Sequence, residues 1–167
     1  MPTCNRKKLA KIVGLATLLS IIQGCSFVQT AFAQCVPSNF PSQWLQQQES
    51  LGGHTISRHV NKTDQELVNR LIKTPRISAA STYPNLSTAA TNIQAALSAN
   101  SMTLNNWFGI AATGEKRAVN YTAHTVVGRT AIRPPSLSNI VNSRKLRAVM
   151  KKTAQGKCLL LTSYPIR

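Results

Sequence analysis

Apolar positions follow a helical period through much of the first two thirds of the chain and switch to alternation near Arg117. Trp44, Leu45, Gln48 and Leu51 share one face of a helix expected over Ser42 to Leu51, and Gly52-Gly53 ends it. Ile56 and Val60 continue an apolar side. Thr63 followed by Glu66 has capping-box spacing, so a helix is expected from Asp64 to about Lys73, with Leu67, Val68 and Leu71 turned inward and Thr74-Pro75 as its stop. Arg76 to Tyr83 has strand character, closed by Pro84. Ser87 or Thr88 can cap a further helix to about Ala99 that buries Ala90, Ile93, Ala96 and Leu97. Asn100-Ser101 breaks it, and Leu104 to Ile110 forms a short apolar element in which Trp107 and Phe108 read as core.

Beyond Arg117 the pattern is that of strands. Val119, Tyr121 and Ala123 alternate with polar neighbours, and Thr125 to Val127 is more continuously apolar. Arg133-Pro134-Pro135-Ser136 reads as a loop. Arg144 to Lys152 and Lys157 to Tyr164 form a hairpin around Thr153-Ala154-Gln155-Gly156. Helices come first and strands last, so the expected class is α+β, with N-terminal helices packed on a C-terminal antiparallel sheet.

The start of the chain changes how much of it should count as fold. Arg6, Lys7, Lys8 and Lys11 precede an apolar run from Ile12 to Ile22, and Ala31-Phe32-Ala33 has the form of a signal-peptidase site. The expected organisation is a signal peptide over 1–33, an N-terminal lead-in segment over 34–44 and a folded domain over 45–167. Cleavage after Ala33 leaves 134 of the 167 residues, one domain's worth, exported to the periplasm or secreted. Gly24-Cys25 offers a competing lipoprotein reading. Of four cysteines, only Cys35 and Cys158 follow the cleavage point, and in an oxidising compartment that pair is a disulfide candidate; two free buried thiols are the alternative. No stable membrane span is expected after processing, and a monomer is expected.

Charge narrows the partners. The net charge is +16, and removing the four leader cations, which no leader acid offsets, leaves +12. Only Glu49, Asp64, Glu66 and Glu115 oppose it. Such an excess attracts polyanions, nucleic acid or anionic envelope alike. Four unclustered acids, with His54 and His59 five residues apart, give no zinc or magnesium ligand set, and neither metal nor cofactor is expected.

Titratable chemistry concentrates in GGHTISRHVNKTDQELVNR, Gly52 to Arg70, which gathers His54, Arg58, His59, Lys62 and Arg70 beside a marked helix start. GGHTISRHV, KTDQELVNRL, AASTY at Ala79 to Tyr83 and LLLTSYP at Leu159 to Pro165 together resemble the ribonuclease A-like toxin domain at the C-termini of bacterial contact-dependent growth inhibition proteins. The resemblance runs from about Leu45 to the C-terminus, with a weaker middle from about Ala111 to Asn142. It implies a ribonuclease A-like fold and metal-independent cleavage of RNA to a 2′,3′-cyclic phosphate, by a toxin whose producer holds an immunity protein. It also matches His59 to a catalytic histidine, Arg70 to an active-site arginine, and Thr162 and Tyr164 to the remaining active-site positions.

The residue chemistry is compatible with those roles. Imidazole exchanges protons near neutrality, the guanidinium fork suits phosphate, and residues two apart on a strand face the same side, so Thr162 and Tyr164 can reach one phosphate while Leu161 and Ser163 point away. His54 falls in the matched block as a substrate-binding or site-shaping residue, and Arg58 and Lys62, with Lys73 and Arg76, are candidates for flanking phosphates. The bland readings are a packed histidine at a helix entrance, a surface arginine, a strand hydroxyl and a core-edge tyrosine. Vertebrate-type ribonuclease A enzymes use two histidines, yet none lies near LLLTSYP; His54 and His124 are the other two, and the general acid stays open. The basic run Arg144, Lys145, Arg147, Lys151 and Lys152 reads as solvated charge. A non-catalytic basic protein that binds RNA or envelope polymers is the alternative function, and a structural envelope protein a third.

Overall fold

The computed structural model describes residues 34–167. The expected leader and Cys25 lie outside them. Two short helices, α1 (Trp44–Ser50) and α2 (Thr55–His59), lead to α3 (Asp64–Lys73), strand β1 (Ala79–Thr82), and helices α4 (Leu86–Ala99) and α5 (Ser101–Ile110). Strands β2 (Lys116–Thr122), β3 (Gly128–Ile132), β4 (Ile140–Ser143), β5 (Lys145–Lys152) and β6 (Cys158–Ile166) follow, with a 3-10 turn at Leu137–Asn139 before β4. The class is α+β, as the pattern implied.

The strands form two antiparallel three-stranded sheets, ordered β1-β3-β4 and β2-β5-β6. The first was not anticipated as a sheet. Thr125 to Val127 is a loop rather than a strand, and pairing begins at Gly128, where β3 runs against β1 with Ala80 opposite Ala131. Glycine is needed there, because a Cβ on Gly128 would collide with the Thr82 carbonyl and the Pro165 ring. β4 then closes the edge by pairing with β3.

Helix boundaries follow local chemistry. The capping box of α3 forms as its spacing requires: Thr63 Oγ1 accepts from the Glu66 N–H, and the Glu66 carboxylate accepts from the Thr63 N–H at 2.7 Å. Its C-terminus is held by Arg133, whose guanidinium donates to the carbonyls of Leu71, Thr74 and Ile77. The cap of α4 is Asn85, two residues before the expected serine, with Oδ1 accepting from the Thr88 N–H. Accordingly Ala89, rather than Ala90, is fully buried. Leu51 is 66% exposed rather than part of the α1 face, because the helix stops at Ser50 and the chain turns at Gly52, where φ is +106°.

The main core lies between α1, α4, α5 and the β2-β5-β6 sheet, around Leu45, Tyr83, Ile93, Leu97, Leu104, Leu146, Met150 and Leu160. A smaller cluster of Leu67, Leu71, Ala80 and Ala131 seats α3 on the other sheet. A disulfide joins Cys35 to Cys158, and the N–H groups of Cys35 and Val36 donate to Asn105 Oδ1. Closing a separation of 123 residues is worth about 5 kcal/mol at most in the chain-entropy account. Among the described residues no helix is long and apolar enough to cross a membrane.

Candidate active site

The two sheets approach each other where β6 passes β1 and β3, and a cleft of about 490 Å³ opens there against α2 and α3. His59, Arg70, Thr162 and Tyr164 all line it, as do His54 and Arg58. Residues more than ninety positions apart in the chain thus meet in one cavity. Lys62 does not line this cleft; it faces an adjoining groove. His124 is exposed in the bend between β2 and β3, away from both.

His59 is the last residue of α2 rather than a loop residue ahead of α3. Its backbone carbonyl accepts from the Tyr83 N–H at 2.8 Å, the Asn61 N–H donates to the Tyr83 carbonyl at 2.9 Å, and Asn61 turns the chain toward α3 with φ at +55°. Asparagine tolerates that left-handed conformation. The ring is 7% exposed and stacks on Tyr164, with centroids 5.1 Å apart and planes inclined by 29°. Nδ1 lies 3.1 Å from the Ser81 carbonyl oxygen, which can only accept. The neutral ring therefore carries its proton on Nδ1 and keeps a lone pair on Nε2. Burial lowers the His59 pKa to about 4; the Ser81 bond opposes that shift, while the charges of Arg70, His54 and Arg58 add to it. Near neutrality the imidazole is unprotonated, the form a base requires.

Arg70 rises from the last turn of α3, and its Nη1 donates to the Arg58 carbonyl at 3.2 Å, which fixes it toward the cleft. Burial and the neighbouring Arg58 hold its pKa below the ordinary arginine value. His54 precedes α2; its N–H donates to the Leu161 carbonyl, and its imidazole pKa is lowered by burial and then by Arg58. The start of α2 is itself held by Glu49, whose carboxylate accepts from the Ile56 and Ser57 N–H groups.

On β6 the two expected hydroxyls face the cleft, two residues apart on one side of the strand, although alternation does not run unbroken from the start of the hairpin. Met150 pairs with Leu160 and Val149 with Thr162, so a β-bulge leaves Leu161 as an extra residue. The bulge lets Leu160 and Ser163 both face the core while Thr162 and Tyr164 face the cleft. Thr162 is 8% exposed, and its Oγ1 is buried with no hydrogen-bond partner among the described residues. An orphaned buried hydroxyl lining a basic cleft suits an anionic oxygen.

Behind these groups runs a buried clamp. Ser163 Oγ donates to the Arg147 carbonyl at 2.9 Å; having used its proton there, it accepts from the Tyr83 hydroxyl at 2.8 Å. The Ser163 N–H in turn donates to Thr55 Oγ1 at 2.9 Å. The strand between Thr162 and Tyr164 is thereby tied both to the helix that ends in His59 and to the residue bridging the His59 backbone.

Sequence reasoning undervalued two cations. Arg147, read as solvated charge, lines the cleft, pairs opposite Tyr164 and is oriented by donation from Nε to Asn120 Oδ1 at 2.9 Å. Arg167, at the end of the chain, also lines it, together with Arg76. Neither is marked in the sequence: Arg147 comes opposite Tyr164 only through the bulge at Leu161, and nothing marks Arg167. None of the cleft's lining residues is acidic, and among the described residues no cluster of His, Cys, Asp or Glu could hold a metal ion. The arrangement presents two imidazoles of lowered pKa, the Thr162 and Tyr164 hydroxyls and a wall of guanidinium groups to an anion.

A family model described as the bacterial CdiA-CT RNAse A domain matches residues 53–165. No curated protein matches the chain. Among solved structures, a chain from the crystal structure of the CdiA-CT/CdiI complex from Y. kristensenii 33638 is similar at 25% sequence identity with a TM-score of 0.60, over 69% of this chain and 100% of that one.

Proposed function

Since the chain belongs to the family of bacterial CdiA-CT RNase A domains, a family of ribonuclease toxins, we propose that it cleaves RNA by transesterification, without a metal, in the cleft that His59, Arg70, Thr162 and Tyr164 share. The observation that carries this reading is the pairing of an Nε2 lone pair on His59 with the unpartnered Thr162 hydroxyl in one basic cavity. His59 Nε2 takes the proton of a ribose 2′-hydroxyl, and that oxygen attacks the adjacent phosphorus. The 5′-oxygen leaves, and the product is a 2′,3′-cyclic phosphate. Arg70 and Thr162 hold the non-bridging oxygens as negative charge grows, and Tyr164 donates to the leaving oxygen. Because the nucleophile is the 2′-hydroxyl, DNA is not cut.

The likeness to a chain from a CdiA-CT/CdiI complex supports a further expectation. A cognate immunity protein neutralises this chain in the cell that makes it, and the chain acts after export. The decisive experiment incubates the purified protein with RNA in EDTA. Cleavage with cyclic-phosphate ends is expected, and His59→Ala should abolish it while leaving the fold intact. Retarded but uncut RNA would instead indicate a basic binding protein, and wild-type cleavage by the variant would remove His59 from the mechanism.

A further inference from the structure

A second concavity of about 640 Å³ adjoins the cleft, and Arg58, Arg70 and Ile77 line both. Its size lies within the roughly 300–1,000 Å³ range of small-molecule sites. Lys62 and Lys73 also line it, with the buried Leu67 and the exposed Asn69. The one acid among its lining residues, Glu66, keeps its negative charge, held by the Thr63 N–H and hydroxyl in the capping box; Arg58, Lys62, Arg70 and Lys73 outnumber it, so the groove is basic. The backbone at Lys62 is fixed by donation from its N–H to Thr82 Oγ1 at 2.9 Å, and Asn69 Oδ1 accepts from Gln65, leaving the Asn69 amide protons free.

We propose that this groove is a subsite for a nucleotide of the same RNA strand, flanking the scissile phosphate. Resting on the ribonuclease reading above, the assignment follows from continuity and charge. A strand whose reacting phosphate sits at His59 and Arg70 crosses the Arg58–Arg70 ridge directly into the groove. There Lys62 and Lys73 take its next phosphate, and its sugar and base lie along Leu67 and Ile77. The groove's lining residues include no aromatic side chain, so the base is held by apolar contact and the Asn69 amide rather than by stacking. The subsite therefore favours longer RNA over dinucleotides with weak regard for base identity.

The test compares kcat/KM for a dinucleoside monophosphate and for tetranucleotides extended 5′ or 3′ of the same scissile bond, using the disulfide-bonded protein. Extension on one side should raise kcat/KM roughly tenfold, the scale of two partly exposed cation–phosphate contacts. Lys62→Ala with Lys73→Ala should collapse that ratio toward one, and should make the salt dependence for the extended substrate shallower by about 0.7 in log–log slope, the value for one phosphate. The charge-reversed pair, Lys62→Glu with Lys73→Glu, should push the ratio below one, and circular dichroism checks that each variant is folded. The proposal is overturned if neither extension raises kcat/KM, or if folded variants keep the wild-type ratio. Failure of the wild-type protein to cut any of these substrates would instead overturn the ribonuclease reading itself.

Discussion

Replacing Ser163 with alanine should cost more than replacing its partner Tyr83 with phenylalanine, although each change deletes one hydroxyl. Tyr83→Phe removes the donor of the 2.8 Å bond, but Ser163 Oγ still donates to the Arg147 carbonyl, so no polar group is stranded. The cost is that of one neutral hydrogen bond, about 1 kcal/mol. Ser163→Ala leaves the Tyr83 hydroxyl without its partner at a residue with no exposed surface, and deprives the Arg147 carbonyl of a donor. That desolvation penalty brings the cost to about 2–3 kcal/mol, or about 10 °C in Tm for a domain of this size. The double variant should cost about 2 kcal/mol, less than the sum of the singles, because it has no stranded tyrosine hydroxyl. Urea unfolding of the four proteins measures this. Additive costs, or a serine variant no worse than the phenylalanine one, would refute the donor assignment and the clamp with it. A second readout bears on function. Since Ser163 lies between Thr162 and Tyr164 and is tied to the helix carrying His59, kcat for RNA should fall by about ten- to a hundredfold in Ser163→Ala, with KM nearly unchanged.

Two further outcomes follow from the depressed His59 pKa. The folded value is about 4 and the ordinary one 6.5, so below 6.5 the unfolded chain binds a proton that the folded chain refuses, and stability falls with pH down to about 4. The full difference is about 3 kcal/mol, to be read as the gap between wild-type and His59→Gln urea midpoints measured from pH 7 to pH 4; parallel curves would contradict it. In kinetics, the acid limb of kcat/KM for RNA, which reports the free protein, should fall near pH 4, while the limb of kcat lies higher because a bound phosphate favours the imidazolium. Coincident limbs near 6.5 in both would show an ordinary, solvated histidine.

Helices α1, α3 and α4 were legible because their signals are local, whereas the five-residue α2 that carries His59 was not. Thr63 and Glu66 mark the start of α3, Thr74-Pro75 its end, and Leu67, Val68 and Leu71 its buried face; each bond or contact lies within or beside the helix. The β5-β6 hairpin was legible for the same reason. The β1-β3-β4 sheet was not, because β3 and β4 are only five and four residues long and are joined through a proline-containing loop and a 3-10 turn, and the pairing of β3 with β1 spans some fifty residues. The site was legible in its parts and illegible in its assembly. An unbulged hairpin would set Arg147 against Ser163; the extra residue at Leu161 sets it against Tyr164, and a shift of one residue changes which face meets which. Likewise the Ser81 carbonyl that fixes the His59 tautomer is a backbone atom twenty-two residues away, invisible to any motif of side chains.

The electrostatics of the cleft tie stability to substrate. Arg58, Arg70, Arg76, Arg147 and Arg167 line one cavity with two histidines and no acidic side chain, so a bound anion relieves their repulsion. The same repulsion lowers the His59 pKa, to which Arg70 and Arg58 contribute beyond burial. An imidazole with a pKa near 4 is a poor acceptor for an alcohol proton, and taken alone it would make a slow base. A phosphodiester entering the cleft changes both terms at once. In the proposed reaction its negative charge would offset the guanidinium groups and raise the proton affinity of Nε2, with the 2′-hydroxyl brought to the same nitrogen. On the proposed mechanism basicity is supplied by the substrate, while in the free protein Glu49, Asp64 and Glu66 are engaged in capping α2, pairing with Arg129 and capping α3. A carboxylate placed beside His59 would raise its resting pKa, but it would also repel the phosphate that the surrounding arginines attract.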